Sequence, residues 1–398
     1  MDIQPTSPLD KATKSGDFRL LLATRLLRAF AFGFGAVLLG IQLEHRHLQP
    51  QQIGIALAVG LLAASLLGLP AAAAAARFGR RPTLAVCGVL MAVTGLDLAF
   101  ATNANLLMLA GASGMLGASV DLGPFLPIEQ AMLAESAAGA NQPRAFGHYS
   151  LTGGLAAAAG ALAAALATSP QRLQGFFVVF AAIGLATAAL PLLISTRSES
   201  AVIGPVLSRS SLKPLATLSA LFAVDALGGG FVIQPVIAYW LHVRFGAGSN
   251  VLGPSFAAIA VAQAISFELA PAIASRIGLV RTMVFTHLPS NLLLLLVPFS
   301  PSLPIAAGLL IARYSISQMD VPTRQAYVVS IVRPSERAGA LALTGSVRGV
   351  AQAAGPVLAG YAIQAASFGL PFFAGGGLKI AYDVSLYWLA GRRRSAGD

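Results

Sequence analysis

Long apolar segments recur along the whole chain, separated by short polar or Pro/Gly-rich breaks. A helix needs ~20 mostly apolar residues to cross a hydrocarbon core, where every backbone N–H and C=O must be satisfied within the segment. Stretches of that kind are read at 18–43, 53–76, 82–101, 106–127, 145–168, 174–195, 215–240, 251–274, 282–300, 304–323, 339–363 and 371–390. Charged residues make up only 10% of the chain and hydrophobic ones 56%. A soluble domain carries about 25% charge, so this chain cannot cover a water-facing surface. Its solvent is lipid, and the expected fold is an all-α integral membrane protein with twelve crossings.

The formal net charge is +11. In a soluble protein that would point to nucleic acid; here its placement points to the bilayer. With the N-terminus inside, the inner segments hold 18 of the 26 Lys and Arg residues, and the outer loops hold Arg46, Arg172 and Arg244. That is the positive-inside bias. It places both termini in the cytoplasm and the protein in a cytoplasmic (inner) membrane. The first apolar stretch lacks a small-residue cleavage site after a short core, so it reads as a spanning helix that also targets the chain. The lone Cys87 excludes an intrachain disulfide.

The longest polar interruption, 196–214, falls near the midpoint. The expected organisation is a tail over 1–17, a six-helix bundle over 18–195, a central loop over 196–214, a second bundle over 215–390 and a basic tail over 391–398. The two halves repeat each other. Arg77-Phe78-Gly79 matches Arg276-Ile277-Gly278, and Asp121 matches Asp320, both at an offset of 199. Pro127-Ile128-Glu129-Gln130-Ala131 matches Pro322-Thr323-Arg324-Gln325-Ala326 at 195, and Leu151-Thr152-Gly153 matches Leu343-Thr344-Gly345 at 192. Four matches in order, with drifting offsets, indicate duplication. Two parallel repeats related by an axis along the membrane normal are an arrangement of secondary transporters.

At this point the chain resembles the major facilitator superfamily over essentially its full length. The superfamily's loop signature after the second helix is Gly-x-x-x-Asp-Arg-x-Gly-Arg-Arg/Lys. This chain has Ala72-Ala73-Ala74-Ala75-Ala76-Arg77-Phe78-Gly79-Arg80-Arg81. The basic half is intact, while the Gly and the Asp are both Ala, which puts an Asp-dependent gating latch in doubt; in the second copy Ser275 stands where the Asp would fall. Gly123-Pro124-Phe125-Leu126-Pro127-Ile128-Glu129-Gln130, Thr282-Met283-Val284-Phe285-Thr286-His287, Gln318-Met319-Asp320-Val321-Pro322-Thr323-Arg324-Gln325 and Lys379-Ile380-Ala381-Tyr382-Asp383 are similar to a bacterial permease and efflux branch. The resemblance implies that spans one, four, seven and ten line a central cavity.

Charge at mid-bilayer costs about 2.5–3.5 kcal/mol on insertion scales, so intramembrane charges need partners or water. Ten are read within the spans: Arg28, Asp97, Asp121, Asp225, Glu268, Arg313, Asp320, Arg348, Lys379 and Asp383. Arg28, Asp225, Asp121, Arg313 and Asp320 fall on the four cavity-lining spans and form the candidate substrate and proton site. Arg28 and Asp225 sit ~10 residues into matched spans, at mid-bilayer depth. They are expected either as a central functional pair or as an ion pair pinning the halves together. Arg313 and Asp320 are seven residues apart, so on one helix they face nearly the same side, ~10 Å apart. Asp121 and Asp320 are either proton relays or caps for backbone freed by the prolines that follow them.

Glu129 and Arg324 occupy matched positions at the expected cytoplasmic mouth. With Arg77, Arg80, Arg81 and Arg276 they form a candidate gate; the alternative is solvated loop charges worth about 0–1 kcal/mol. Lys379 and Asp383 are i, i+4 and are expected to neutralise each other as a structural pair. Asp97 is expected to snorkel from the outer end of the third span, Glu268 to meet Arg276, and His287 to make a polar contact within the bundle. His45 and His47 supply two ligands, too few for a metal site. No phosphate-binding Gly-rich loop, nucleophile elbow or Cys/His cluster is legible, so no ATP motor, enzyme activity, cofactor or metal is expected.

The expectation is therefore a secondary active transporter of a small solute working by alternating access, with protons as coupling ion and efflux as direction. It is expected to act as a monomer in the lipid bilayer, without nucleic acid. The alternatives are an uptake permease for a small metabolite and a non-pumping transporter-like receptor or lipid-handling protein.

Overall fold

A computed structural model of the chain describes residues 8–116, 123–136, 142–195, 208–333 and 336–395. Asp121 lies outside the described residues. No strand occurs among them. The first three crossings are α1 (Pro8–His45), α2 (Pro50–Phe78) and α3 (Arg80–Phe100). The fourth is in two pieces, α4 (Ala104–Ala112) and α5 (Phe125–Ser136). The fifth and sixth are α6 (Gln142–Ala163) and α7 (Pro170–Ala189). The seventh is again split, into α8 (Arg209–Gly230) and α9 (Gln234–Phe245), followed by α10 (Ser249–Ile277) and α11 (Leu279–Leu296). The tenth is α12 (Leu303–Ser317) and α13 (Asp320–Ser330), and the last two are α14 (Arg337–Gln364) and α15 (Leu370–Ser395). Twelve crossings return both chain ends to one face, the terminal face; the opposite one is the far face.

Eight of the described segments are long and apolar enough to cross a membrane by themselves. The other four crossings depart for physical reasons. The fourth and tenth are interrupted, α14 carries the half-buried charge Arg348, and α15 carries the buried charges Lys379 and Asp383. The polar inward faces also explain why the crossings outrun their apolar stretches. The fourth was expected to end at 127 and the tenth at 323, but α5 runs to Ser136 and α13 to Ser330. Glu129 and Arg324 are therefore inside the bundles, 1% and 8% exposed, not at a solvated mouth.

The repeated Arg-x-Gly has a backbone cause. Gly79 alone links α2 to α3, at φ 98°, and Gly278 alone links α10 to α11, at φ 87°. Only glycine takes that φ without a Cβ penalty, and each also donates its N–H back into the preceding helix, to the Ala75 and Ala274 carbonyls.

Within the first bundle α1 packs on α6 and α7, and α3 on α7; within the second α8 packs on α14 and α15, and α11 on α15. Between the bundles α2 meets α14, α6 meets α10 and α1 meets α9. Small residues permit these approaches. A Cβ on Gly54 of α2 would lie 3.0 Å from Gly360 Cα of α14, and one on Gly40 would lie 2.8 Å from Tyr239 Cβ of α9. Polar contacts join the bundles at the far face. Ser249 Oγ donates to the Ala167 carbonyl (2.8 Å), Gln364 Oε1 accepts from the Gln51 N–H (3.2 Å), and His242 Nε2 lies 3.2 Å from Glu44 Oε2.

Candidate functional site

The first bundle holds a buried ion pair. Arg28 of α1 is 2% exposed and points both terminal nitrogens at Glu129 of α5, at 2.6 Å each. Thr24, one turn before Arg28, donates to Glu129 Oε1 at 3.3 Å, and the Tyr149 hydroxyl of α6 donates to Oε2. The Arg28 guanidinium lies 4.3 Å from the Phe125 ring centre. A two-oxygen, two-nitrogen fork with two added hydroxyls compensates most of what burial costs these charges.

The second bundle holds a larger network centred on Asp225 of α8, 1% exposed. Its Oδ1 accepts from Lys379 Nζ and its Oδ2 from Arg348 Nη1, each at 2.7 Å. Two more side chains stand off, the His287 imidazole with Nε2 at 3.7 Å and the Arg324 guanidinium with Nη1 at 3.8 Å. Arg324 is held by Asp320, one turn back on α13. His287 Nδ1 lies 2.8 Å from Asp383 Oδ1, and Asn291 Nδ2 donates to Asp383 Oδ2 at 2.9 Å. His287 thus stands between two carboxylates.

A break in each of two spans places this network on a cavity. After Gly228-Gly229-Gly230 the seventh span turns at Phe231–Ile233 and restarts with Pro235 in its first turn. The tenth is interrupted at Gln318 and Met319. Broken spans of this sort occur where irregular backbone lines a cavity. The cavity has a volume of about 300 Å³, and its wall includes Asp225, Gln234, Gln263, His287, Arg313, Asp320, Arg324, Arg348 and Lys379. Arg313 is 4% exposed, and its Nε and Nη1 are buried without a hydrogen-bond partner. Its guanidinium lies 4.6 Å from the Tyr314 ring centre.

Several sequence expectations about partners are corrected by these distances. Arg28 does not pair with Asp225, because each is satisfied inside its own bundle. Glu129 and Arg324 do not bridge the bundles; Glu129 is taken by Arg28 and Arg324 by Asp320. Lys379 and Asp383 do not neutralise each other, because the longer Lys379 stem reaches Asp225 while Asp383 turns to His287 and Asn291. Arg313 and Asp320 both line the cavity, but on separate helical pieces. Of the candidate gate, Arg77 and Arg276 are exposed at the terminal-face links, Arg80 is buried, and Arg81 donates to the Leu192 carbonyl. Glu268 is exposed and Asp97 half-buried with Oδ2 unpartnered. The sequence reading underrated Arg348 and His287 and passed over Tyr149 and Asn291. Half of their signal was available: each is a polar side chain within an apolar span, while the direction it faces comes only from the structure.

Comparison with known proteins bears on the family and the fold. The family model described as Major Facilitator Superfamily matches residues 21–316. An uncharacterized membrane protein of Saccharomyces cerevisiae is 24% identical over 418 aligned residues, covering 94% of this chain and 93% of its own length. The solved nucleoside transporter NupG superposes with a TM-score of 0.74 at 14% identity, covering 93% of this chain and 98% of its own. A bacterial homolog of the human lysosomal transporter Spinster, in an inward-facing and occupied conformation, gives 0.75 at 16% identity and covers 98% of both chains. At such identities the structural likeness establishes the fold.

Proposed function

The chain belongs to the Major Facilitator Superfamily, and from that membership we propose that this membrane transporter is a secondary active carrier of a small solute, coupled to protons and working by alternating access. The observation that carries the coupling is His287, held 2.8 Å from Asp383 and 3.7 Å from Asp225 on the cavity wall. Imidazole is the side chain whose ordinary charge change falls between pH 5 and 8. A proton taken up there adds a positive charge beside Asp225, which Lys379 and Arg348 already hold. The carboxylate's attraction is then divided among more cations, so proton occupancy and the grip of Asp225 on Lys379 and Arg348 are linked. A membrane potential supplies about 2.3 kcal/mol per charge per 100 mV, enough to drive such a carrier without a nucleotide.

Export is the direction implied by the branch resemblance and would exchange an entering proton for a leaving solute. Uptake by co-transport is a second reading, favoured by the surplus of cations on the cavity wall. In either case the terminal face is taken as cytoplasmic and the protein as a monomer in the cell membrane, with Arg77, Arg80, Arg81 and Arg276 at its cytoplasmic links.

The test uses purified protein in liposomes with a trapped pH dye and an imposed pH gradient. Nucleosides, pentoses, organic acids and cationic dyes are added in turn. At least one should provoke proton movement in the wild type, and the direction of its accumulation separates export from uptake. His287→Gln should abolish gradient-driven accumulation and leave passive exchange of the same solute. Wild-type accumulation by His287→Gln would remove the proton site from His287.

A further inference from the structure

The cavity of the second bundle carries more positive charge than its own carboxylates neutralise. Arg313, Arg324, Arg348 and Lys379 face it against Asp225 and Asp320. Asp320 holds Arg324, and Asp225 is shared between Lys379 and Arg348. Arg313 is left over. Among the described residues no carboxylate lies within 4 Å of it, and two of its guanidinium nitrogens are buried with no acceptor. A buried charge without partners costs several kcal/mol, and arginine stays protonated in proteins. The charge must be answered from within the cavity.

Resting on the carrier reading above, we propose that the transported solute is a small organic anion whose oxyanion group is bound by Arg313. A guanidinium presents a planar fork that matches two oxygens of a carboxylate or a phosphate ester. The Tyr314 ring, 4.6 Å from the guanidinium, supports it from the adjoining position on α12. Gln234 and Gln263, 3.4 Å apart across the cavity wall, offer donors and acceptors to a polar solute body. Phe267 and Val232 supply an apolar surface for the rest of it. The volume, about 300 Å³, lies at the small end of ligand sites. Arg313 is thus a specificity-determining residue, separate from the Asp225 and His287 network. The carrier reading places the proton in that network, whereas Arg313 supplies a fixed charge.

The experiment measures equilibrium binding to the full chain in detergent, with no gradient. Its probes share one ring and differ in charge: benzoate, phenyl phosphate, neutral benzamide and cationic benzamidine. Benzoate or phenyl phosphate should bind and raise the melting temperature, benzamide and benzamidine should not, and the two anions separate a carboxylate solute from a phosphate one. Arg313→Gln should weaken the anion's binding by about tenfold or more, Arg313→Lys by less, and Arg172→Gln on the far face not at all. Because Arg313→Gln removes an uncompensated charge, its ligand-free melting temperature should equal or exceed that of wild type, so lost binding is not lost folding. Equal binding of benzamidine and benzoate, no binding of either anion, or wild-type anion binding by Arg313→Gln overturns the proposal. Failure of proton coupling in liposomes with anion binding intact would overturn the carrier reading alone.

Discussion

Arg28 and Glu129 in the first bundle, and Asp225 and Arg324 in the second, occupy matched positions of the repeat with their signs exchanged. Duplication kept a pair between the first and fourth spans of each bundle and reversed its polarity. The two copies differ in tightness. Arg28 and Glu129 meet at 2.6 Å through both oxygens, whereas Arg324 stands 3.8 Å from Asp225, which has turned to Lys379 and Arg348. The first pair is locked, and the second has exchangeable partners. Removing one member of a buried pair costs about 3–5 kcal/mol, because the other charge is left uncompensated. Glu129→Gln should therefore lower stability by about that amount, read as a large fall in melting temperature in detergent. The exchange Arg28→Glu with Glu129→Arg should recover most of it, while Glu129→Arg with Arg324→Glu should not, since those two residues are not partners. Asp225→Asn strands Lys379 and Arg348 together, so it should impair folding as well as transport. Adding Lys379→Met to it should restore the melting temperature and leave transport absent; unaltered stability of Asp225→Asn alone would count against the shared network.

Helices set where those charges go, and here the repeat was easier to read than the breaks. The repeated Arg-x-Gly was legible as a motif, but the links were read as loops over 77–81 and 275–281, where Gly79 and Gly278 alone, at positive φ, join the helices. The interruptions at Phe231–Ile233 and at Gln318–Met319 were not legible, because apolar periodicity continues across both and only the glycine triplet and Pro235 hint at the first. The ends of the fourth and tenth crossings were misjudged for a related reason. Hydropathy falls at Glu129 and Arg324, but it falls because the bundle interior is polar there, not because the helix has left the membrane. Partners were misassigned for the same cause: sequence gives the depth of a charge, and only rotation of the helix about its axis decides what it meets. Helix contact also gives a prediction of its own. Gly54 packs on the Pro356 carbonyl and on Gly360 between the bundles, and overpacking a tight contact costs about 1–3 kcal/mol. Gly54→Leu should weaken far-face closure by that amount, a roughly 5- to 150-fold change in the ratio of closed to open forms. A cysteine placed at Ser249 should then react several-fold faster with a membrane-impermeant maleimide; unchanged labelling would mean that α2 and α14 do not set the closure.

At the scale of the molecule, the crossing count and the duplication were readable from apolar run length and from ordered offsets, since both are one-dimensional properties. How the two bundles meet is three-dimensional and was not readable. They meet toward the far face through α1 with α9, α2 with α14, and α6 with α10. The ion pair there is the weaker part of the closure. Glu44 and His242 are 42% and 30% exposed at their side chains, and such pairs are worth about 0–1 kcal/mol. The Ser249 hydroxyl on the Ala167 carbonyl is buried, and α10 packs at that level with Gly253 against Ala161 and Ala165. Closure therefore resides in helix packing, and Glu44→Gln should change transport less than twofold while Gly54→Leu changes it strongly. Alternating access requires this packed face to separate once per cycle. Cysteines introduced as Ala167→Cys and Ser249→Cys and joined by a short bifunctional reagent should consequently stop transport, and cleavage of a reducible linker should restart it. The native Cys87 is buried, 4% exposed, so the background reaction is small. Transport that continued at the unlinked rate after complete cross-linking would mean that the bundles do not part at the far face, and the alternating-access reading would fall with it.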